Sequence, residues 1–249
     1  MMRAGFSVLL VVIIHDHVNA KLPPGVQTCS RNDPNLNECF KDKMNIITPL
    51  LADGVPSMGL FPFDPLHADE AIIDDTGTRR QVAINLMMRN ISYIGFRDGN
   101  ITSANVDLVN GEISWKNLVP RLQITGQYEI SGRILILPFT GKGNFNITLQ
   151  NVDTMFGFRI KNETRNGKVY IVPFDSENTF LPARAHLFLS GLFNGDKRLG
   201  DHMNEFLNEN WRELMADMGP PLSQVIEALS LSYAGKLFSL SPYDTIFPV

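Results

Sequence analysis

The most regular hydrophobic pattern in the chain lies near its C-terminus, from Leu199 to Leu240. Apolar residues recur there every three or four positions, which is the period of an α-helix with one buried face. They are Met203, Phe206, Leu207, Trp211, Leu214, Met215 and Met218, followed after Gly219-Pro220-Pro221 by Leu222, Val225, Ile226, Leu229, Tyr233 and Leu237. The pattern predicts one long C-terminal helix that is kinked but continuous at the two prolines.

From about Ala71 to Leu189 the hydrophobic period changes to two, which is typical of β-strands. The clearest segment is 121–137, where apolar and polar residues alternate and Gly126 and Gly132 stand on the apolar face. Glycines at such positions let a strand bend. Shorter segments with the same alternation contain Val82, Ile84 and Leu86; Val106 and Leu108; Ile113 and Trp115; Phe145, Ile147 and Leu149; Phe156, Phe158 and Ile160; and Val169 and Ile171.

Turns that separate these strands are predicted from short runs rich in glycine and asparagine. The runs are Asp98-Gly99-Asn100, Asn110-Gly111, Gly141-Lys142-Gly143 and Asn166-Gly167. Ahead of the strands, Asp33 and Pro34 predict the start of a helix over about 34–52, because apolar residues follow them at helical spacing. A connector rich in glycine and proline follows that helix over 53–66.

Together these elements predict an α+β fold. Strands and helices do not alternate along the chain, so the strands are expected to form an antiparallel meander with one apolar face. The C-terminal helix is the element long enough to cover that face. We therefore expect a strongly curved antiparallel sheet wrapped around one long C-terminal helix, with a short N-terminal helix, in a single domain over residues 21–249.

The first twenty residues are predicted to be a secretory signal peptide. Arg3 supplies a positive charge, residues 6–14 form an apolar core, and Val18-Asn19-Ala20 offers the small residues that cleavage requires. Nine apolar residues are too few for a membrane anchor, which needs about 20. No later segment is apolar enough to span a membrane, so we expect a secreted, extracellular protein.

Other features of the sequence fit secretion. The two cysteines, Cys29 and Cys39, are expected to form a disulfide bond, since further ligands for a metal or redox site are missing nearby. Four glycosylation sequons predict a glycoprotein that carries sugars at surface asparagines; they begin at Asn90, Asn100, Asn146 and Asn162. The formal net charge of −4, without a cluster of Lys or Arg, argues against nucleic acid as a partner.

Three blocks of the sequence resemble the insect haemolymph juvenile hormone binding protein family, and within it the takeout-like branch. The first block runs from Cys29 to Cys39 and continues in Gly54-Val55-Pro56 and Phe63-Asp64-Pro65-Leu66. The second comprises residues 120–132, Leu137-Pro138 and Gly141-Lys142-Gly143. The third comprises residues 192–197, 208–211 and 242–248. The resemblance extends over essentially all of residues 21–249.

This resemblance implies a tubular lipid-binding fold with an internal tunnel for apolar ligands. Family members established as high-affinity carriers of juvenile hormone have a second pair of cysteines, which this chain lacks. The difference matches the takeout-like members. It leaves juvenile hormone as one candidate ligand beside other isoprenoids and fatty acids.

Candidate ligand contacts are the aromatic and long apolar side chains expected to face the interior. From the strands these are Phe139, Phe145, Phe156, Phe158 and Phe180, and from the helix they are Met203, Phe206, Leu207, Trp211, Leu214 and Met218. Ordinary core packing is the competing interpretation for each. Tyr128 stands out because it places a hydroxyl on an apolar face, where its partner is either a ligand oxygen or a backbone group.

Patterns of a catalytic or metal site are missing from the sequence. Within residues 21–249 the histidines, His67, His186 and His202, are widely separated, and no Gly-x-Ser-x-Gly nucleophile motif occurs. We therefore expect a binding protein that is not an enzyme and has no cofactor or metal. Its expected partner is a hydrophobic small molecule, a protein receptor is the second candidate partner, and the chain is expected to be a monomer.

Three functions are compatible with these features. The first is a secreted carrier for juvenile hormone, another isoprenoid or a fatty-acid-like lipid. The second is a defence protein that binds lipid or lipopolysaccharide, which the net negative charge disfavours. The third is a binding module that holds a structural lipid and acts on a receptor.

Overall fold

The structure is a computed structural model that describes residues 22–23, 25–75, 82–134 and 137–249. The predicted signal peptide, residues 1–20, lies outside the described residues. The helices and strands, in chain order, are α1 (Leu36–Leu51), β1 (Leu66–Asp75), β2 (Val82–Ile94), β3 (Asn100–Asp107), β4 (Glu112–Ile134), β5 (Leu137–Arg165), β6 (Lys168–Leu189), α2 (Lys197–Glu209), α3 (Trp211–Ser239) and α4 (Tyr243–Ile246). None of the helices in the described part of the chain is long and apolar enough to cross a membrane.

One curled antiparallel sheet forms the body of the molecule, with strand order β1-β2-β4-β5-β6. The long strand β4 has two partners along one edge: β3 pairs with its first half and β2 with its second half. Helix α3 packs along β6. The predicted α+β fold, a curved antiparallel sheet around a long C-terminal helix, is therefore confirmed.

The inner face of the sheet has the alternation predicted from the sequence. On β4 the side chains of Leu122, Ile124, Tyr128 and Ile130 are all buried. Gly126 lies among them, and a Cβ atom at this position would be 2.8 Å from the ring of Phe145 on β5. The missing side chain therefore makes room for an aromatic ring from the neighbouring strand.

The turn predicted at residues 141–143 is wrong. Gly141 and Gly143 lie within β5, opposite Ile130 and Tyr128, and the antiparallel pairing of β4 with β5 extends to Ile134 and Leu137. The predicted 121–137 strand is therefore divided between β4 and β5. A Cβ atom on Gly143 would lie 2.3 Å from the carbonyl oxygen of Ser190, so this glycine permits a close approach of two chain segments.

The other predicted turns divide into two groups. Asn110-Gly111 and Asn166-Gly167 connect antiparallel neighbours, as predicted. Asp98-Gly99-Asn100 does not, because β3 pairs with β4 instead of β2. A 3₁₀ turn over Phe96–Asp98 redirects the chain there, and the Asp64 carboxylate fixes it by accepting hydrogen bonds from the backbone N–H groups of Gly95 and Arg97 at 3.1 and 2.8 Å.

The C-terminal helical stretch is divided at Asn210, which sequence analysis did not predict. The side-chain amide of Asn210 donates to the carbonyl of Phe206 at 2.8 Å, and its backbone is not helical. Asparagine side chains compete in this way for helix backbone groups. The backbone of α3 stays helical through residues 219–221, so the predicted continuity at the two prolines is confirmed.

Side-chain amides fasten the helices to the sheet edge formed by β6. Asn208 of α2 both accepts from the N–H of Leu187 and donates to its carbonyl, and Asn204 does the same with Leu189, at 2.7 to 2.9 Å. Farther along, the backbone N–H of Asn178 donates to Glu227 of α3 at 3.3 Å. These contacts satisfy backbone groups that an edge strand otherwise leaves unpaired.

Candidate functional site

An apolar cavity of about 250 Å³ lies between α1, the inner face of the sheet and the second half of α3. Residues 22–23 and 25–29, which we call the N-terminal arm, and the C-terminal residues around α4 complete its wall. Most side chains in this wall are aliphatic or aromatic. Such a space holds apolar molecules by removing their surface from water.

Helix α1 contributes one complete face to the cavity. Phe40, Met44, Ile47 and Leu51 follow each other at intervals of three or four residues and all line the space. The helix begins at Leu36, two residues after its predicted start, and in the turn before it the carboxylate of Asp33 accepts from the backbone N–H of Asn35 at 2.8 Å. Its apolar face is therefore the cover of the cavity.

A group of aromatic rings forms the sheet side of the wall. Trp115 of β4 stacks on Phe156 of β5 with 5.6 Å between ring centroids, and Phe158 lies at the same distance from Trp115. Phe40 of α1 approaches Trp115 to 6.2 Å. These rings connect the helix to the sheet and leave the remaining volume enclosed between them.

The wall formed by α3 includes Ile226, Leu229 and Tyr233. The Tyr233 ring packs edge-on against Phe61 and Phe63 at 5.2 and 5.5 Å. Its hydroxyl is buried without a hydrogen-bond partner, and burial raises the pKa of Tyr233 to about 12. The phenol therefore stays neutral at physiological pH.

Few polar groups stand near this apolar space. Asn117 of β4 lines the cavity, and its side-chain oxygen is buried without a partner. On the arm side, the Lys43 ammonium donates to the side-chain oxygen of Gln27, and both residues line the cavity. No cluster of potential metal ligands occurs among the residues that the structure describes. The arrangement can therefore bind and orient an apolar molecule.

A disulfide bond holds the N-terminal arm against α1. Cys29 and Cys39 are joined as predicted, with 6.0 Å between their Cα atoms, and Cys29 itself lines the cavity. Behind it, the backbone N–H of Arg31 donates to the carbonyl of Pro248 at 2.8 Å, and its guanidinium pairs with Asp244. These contacts join the arm to the C-terminal residues and close one side of the cavity.

The structure separates the predicted ligand contacts into two groups. Phe156 and Phe158 line the cavity, and Phe180 packs on Phe156 at 5.8 Å. The others with described side chains belong to the hydrophobic core and do not line the cavity: Tyr128, Phe145, Met203, Phe206, Leu207, Trp211 and Leu214. The side chains of Phe139 and Met218 lie outside the described part of the chain.

Tyr128 has a backbone partner, which was one of the two alternatives for its hydroxyl. The hydroxyl donates to the carbonyl of Ser190 at 2.8 Å. Burial raises the pKa of Tyr128 to about 12. This hydrogen bond ties β4 to the chain segment that follows β6.

Several cavity residues were absent from the predicted contacts, notably Phe40, Met44, Trp115, Ile226 and Tyr233. Two signals in the sequence could have identified them. The apolar face of α1 had no predicted element to cover it, and residues 222–232 of the C-terminal helix contain one charge. Both patterns indicate surfaces that face each other.

The four predicted glycosylation asparagines occupy different environments. Asn90, Asn100 and Asn162 are exposed. Asn146 is half-buried on β5, and its side-chain oxygen accepts from Gln123 at 3.2 Å. Attachment of sugar at these positions stays a prediction.

Comparisons with known proteins agree with this geometry. The sequence profile of the family described as haemolymph juvenile hormone binding protein (JHBP) matches residues 7–248. The circadian clock-controlled protein daywake of Drosophila melanogaster is 22% identical over 231 residues, which cover 90% of this chain and 88% of daywake. The putative beta-carotene-binding protein of Schistocerca gregaria is 25% identical over 228 residues, with the same coverage.

Among solved structures, the chain is similar to Takeout 1 of Epiphyas postvittana, with a TM-score of 0.81 and 25% sequence identity. The match covers 90% of this chain and 100% of that one. The curled sheet and its helices are therefore the same architecture in both.

Proposed function

The chain belongs to the haemolymph juvenile hormone binding protein family, in its takeout-like branch, and from this premise we propose that it is a secreted carrier of a hydrophobic small molecule. The cargo classes that fit are juvenile hormone, another isoprenoid and a fatty-acid-like lipid. The proposed activity is binding alone, without a catalytic step, a cofactor or a metal.

The observation that carries this proposal is the apolar cavity between α1, the sheet and α3. Its volume of about 250 Å³ lies just below the range of small-molecule sites, about 300–1,000 Å³, and this favours a slender cargo over a bulky one. One relative is named a putative beta-carotene-binding protein, and beta-carotene is likewise a long apolar molecule.

Secretion is part of the same proposal. Residues 1–20 act as the signal peptide, residues 21–249 form the single ligand-binding domain, and the mature protein is a monomer with sugar on one or more of its sequons. A carrier with these properties would move a water-insoluble molecule through extracellular fluid, and a receptor on the target cell is the second partner we propose.

Native mass spectrometry of the protein secreted from cultured insect cells tests the proposal. We expect a bound small molecule, and after its removal we expect saturable binding of an apolar fluorescent probe such as N-phenyl-1-naphthylamine. Leu229→Trp fills part of the cavity and should weaken probe binding about tenfold, because the ligand loses buried contact area.

Leu199→Trp is the matched control, since Leu199 is an exposed residue of α2 away from the cavity. It should leave probe affinity unchanged. A protein that is secreted empty and binds neither the probe nor any long-chain lipid would exclude the carrier function.

A further inference from the structure

One residue on the inward face of α1 interrupts its apolar pattern. Lys43 follows Phe40 by three positions and precedes Ile47 by four, so it occupies the same face of the helix. Like these two neighbours, it lines the cavity. A lysine on such a face keeps its stem on apolar surface and directs its ammonium to the nearest polar group.

That polar group is neutral. The Lys43 ammonium donates to the side-chain oxygen of Gln27, and none of the ion pairs among the described residues includes it. Lys41 on the same helix differs, because it forms an ion pair with Glu38 and does not line the cavity. Lys43 therefore carries a positive charge that no described carboxylate neutralises.

The rest of the cavity wall makes this charge distinctive. Among the described residues that line the cavity, Lys43 is the only charged one. It lies half-buried beside Gln27, which is exposed, so the charge stands at the rim where the apolar interior meets solvent. A polar rim above an apolar interior matches an amphiphile, whose head stays at the rim while its tail is buried.

We propose that Lys43 makes the cavity selective for ligands with an anionic head group, specifically long-chain carboxylates. The carboxylate replaces Gln27 as the acceptor of the ammonium hydrogen bond, and the alkyl chain occupies the space between α1, Trp115 and α3. This inference rests on the proposed carrier function and names the class of cargo.

The physical reason is the difference between an amide and a carboxylate as partners of an ammonium group. A hydrogen bond between two ionised groups is shorter and stronger than one to a neutral oxygen. Because the rim is open to solvent, water screens the pair, and we expect a preference of about fivefold over a neutral ligand of equal length.

Binding of palmitate and hexadecan-1-ol, which have equal chain length and different heads, tests this proposal. Affinities are measured at pH 7.5 from the change in tryptophan fluorescence, since Trp115 lines the cavity. The unaltered protein should bind palmitate about fivefold more tightly than the alcohol. Lys43→Met places an apolar residue on an apolar face and should reduce this ratio to about one, mainly by weakening the binding of palmitate.

Two further variants separate charge from structure. Lys43→Arg keeps the positive charge and should keep the preference for palmitate. Lys41→Met removes a lysine from the same helix outside the cavity and should also keep it.

The proposal is overturned if the unaltered protein binds both ligands equally, or if Lys43→Met preserves the preference. Tight binding of the alcohol in either case would leave the carrier function standing and exclude only the role of Lys43. Binding of neither ligand would also overturn the role of Lys43, and the mass spectrometry and probe titration described above decide separately whether the carrier function stands.

Discussion

The same strands and helices build two regions of the molecule that use apolar side chains differently: in one these side chains pack against each other, and in the other they surround an apolar cavity. We call the first the filled end, where Tyr128, Phe145, Leu192, Met203 and Leu207 are all buried in one cluster. The second, the cavity end, consists of α1, the N-terminal arm, Trp115 and the second half of α3. Strand β4 passes through both, and the 13 steps from Trp115 to Tyr128 correspond to about 43 Å measured along the strand.

The difference lies in what stands opposite the aromatic residues in each region. At the filled end, glycines allow chain segments to touch: Gly126 accommodates the ring of Phe145, and Gly143 accommodates the carbonyl of Ser190. At the cavity end, large rings such as Phe40 and Trp115 meet across the gap and hold α1 away from the sheet. Both ends are rich in aromatic residues, so composition does not distinguish them.

The largest effect is expected when a side chain is added where two chain segments touch at the filled end. Gly143→Ala places a Cβ atom 2.3 Å from the carbonyl oxygen of Ser190, which is backbone and cannot rotate away. We expect a loss of about 3 kcal/mol in the free energy of unfolding, measured by urea denaturation. Gly157→Ala is the control in the same strand near the cavity end, where the nearest atom is 3.5 Å away, and it should change stability by less than about 0.5 kcal/mol. Equal losses in the two variants would contradict the role assigned to close approach.

Much of the fold could be predicted because alternation and helical period report which face of an element is buried. The segment that contains Leu122, Ile124 and Tyr128 shows this directly, since all three face inward as predicted. The predicted turn at residues 141–143 was wrong because the residues that require glycine there are distant in the sequence. Gly141-Lys142-Gly143 resembles a turn in sequence, but the contact that requires glycine comes from residues 190–192, about fifty positions away.

The site was harder to predict than the fold, for a related reason. Sequence patterns identify residues that face inward, and Phe145 and Phe156 are equally apolar and equally well placed on β5. Their surroundings differ because α2 and the glycines close the space around Phe145, whereas α1 and the N-terminal arm leave a cavity beside Phe156. That distinction depends on tertiary packing, which no single strand or helix encodes.

An intermediate effect is expected when the same enlargement is made at both ends. Ala185 of β6 is completely buried in the filled core, and Ala234 of α3 lines the cavity. Ala185→Leu should lower the free energy of unfolding by about 2 kcal/mol, because a filled core has no room for three more carbon atoms. Ala234→Leu should leave stability within about 0.5 kcal/mol of the unaltered protein and weaken binding of an apolar probe severalfold.

Urea denaturation and probe titration of both alanine variants measure these four quantities. Each variant serves as the control for the other, since the substitution is identical. A large loss of stability from Ala234→Leu would mean that the cavity end is packed as tightly as the filled end.

The smallest effect is expected from removing one hydroxyl at each end. Tyr128→Phe deletes the hydrogen bond to the Ser190 carbonyl and should lower the free energy of unfolding by about 1 kcal/mol. Tyr233→Phe deletes a buried hydroxyl without a partner and should be neutral or slightly stabilising. Both are measured by urea denaturation at pH 7, and a larger loss from Tyr233→Phe would show that its hydroxyl has a partner at the cavity end.

The two phenols also predict how stability depends on alkaline pH. Burial raises the pKa of both Tyr128 and Tyr233 to about 12, whereas phenols in the unfolded chain ionise near pH 10. The phenols of the unfolded chain therefore ionise at a lower pH than those of the folded chain. The stability that depends on neutral phenols is complete below pH 10 and is lost as pH rises through 12. Replacing both residues by Phe should therefore make the free energy of unfolding fall less steeply between pH 10 and pH 12, and an unchanged slope would mean that neither phenol is held neutral by burial.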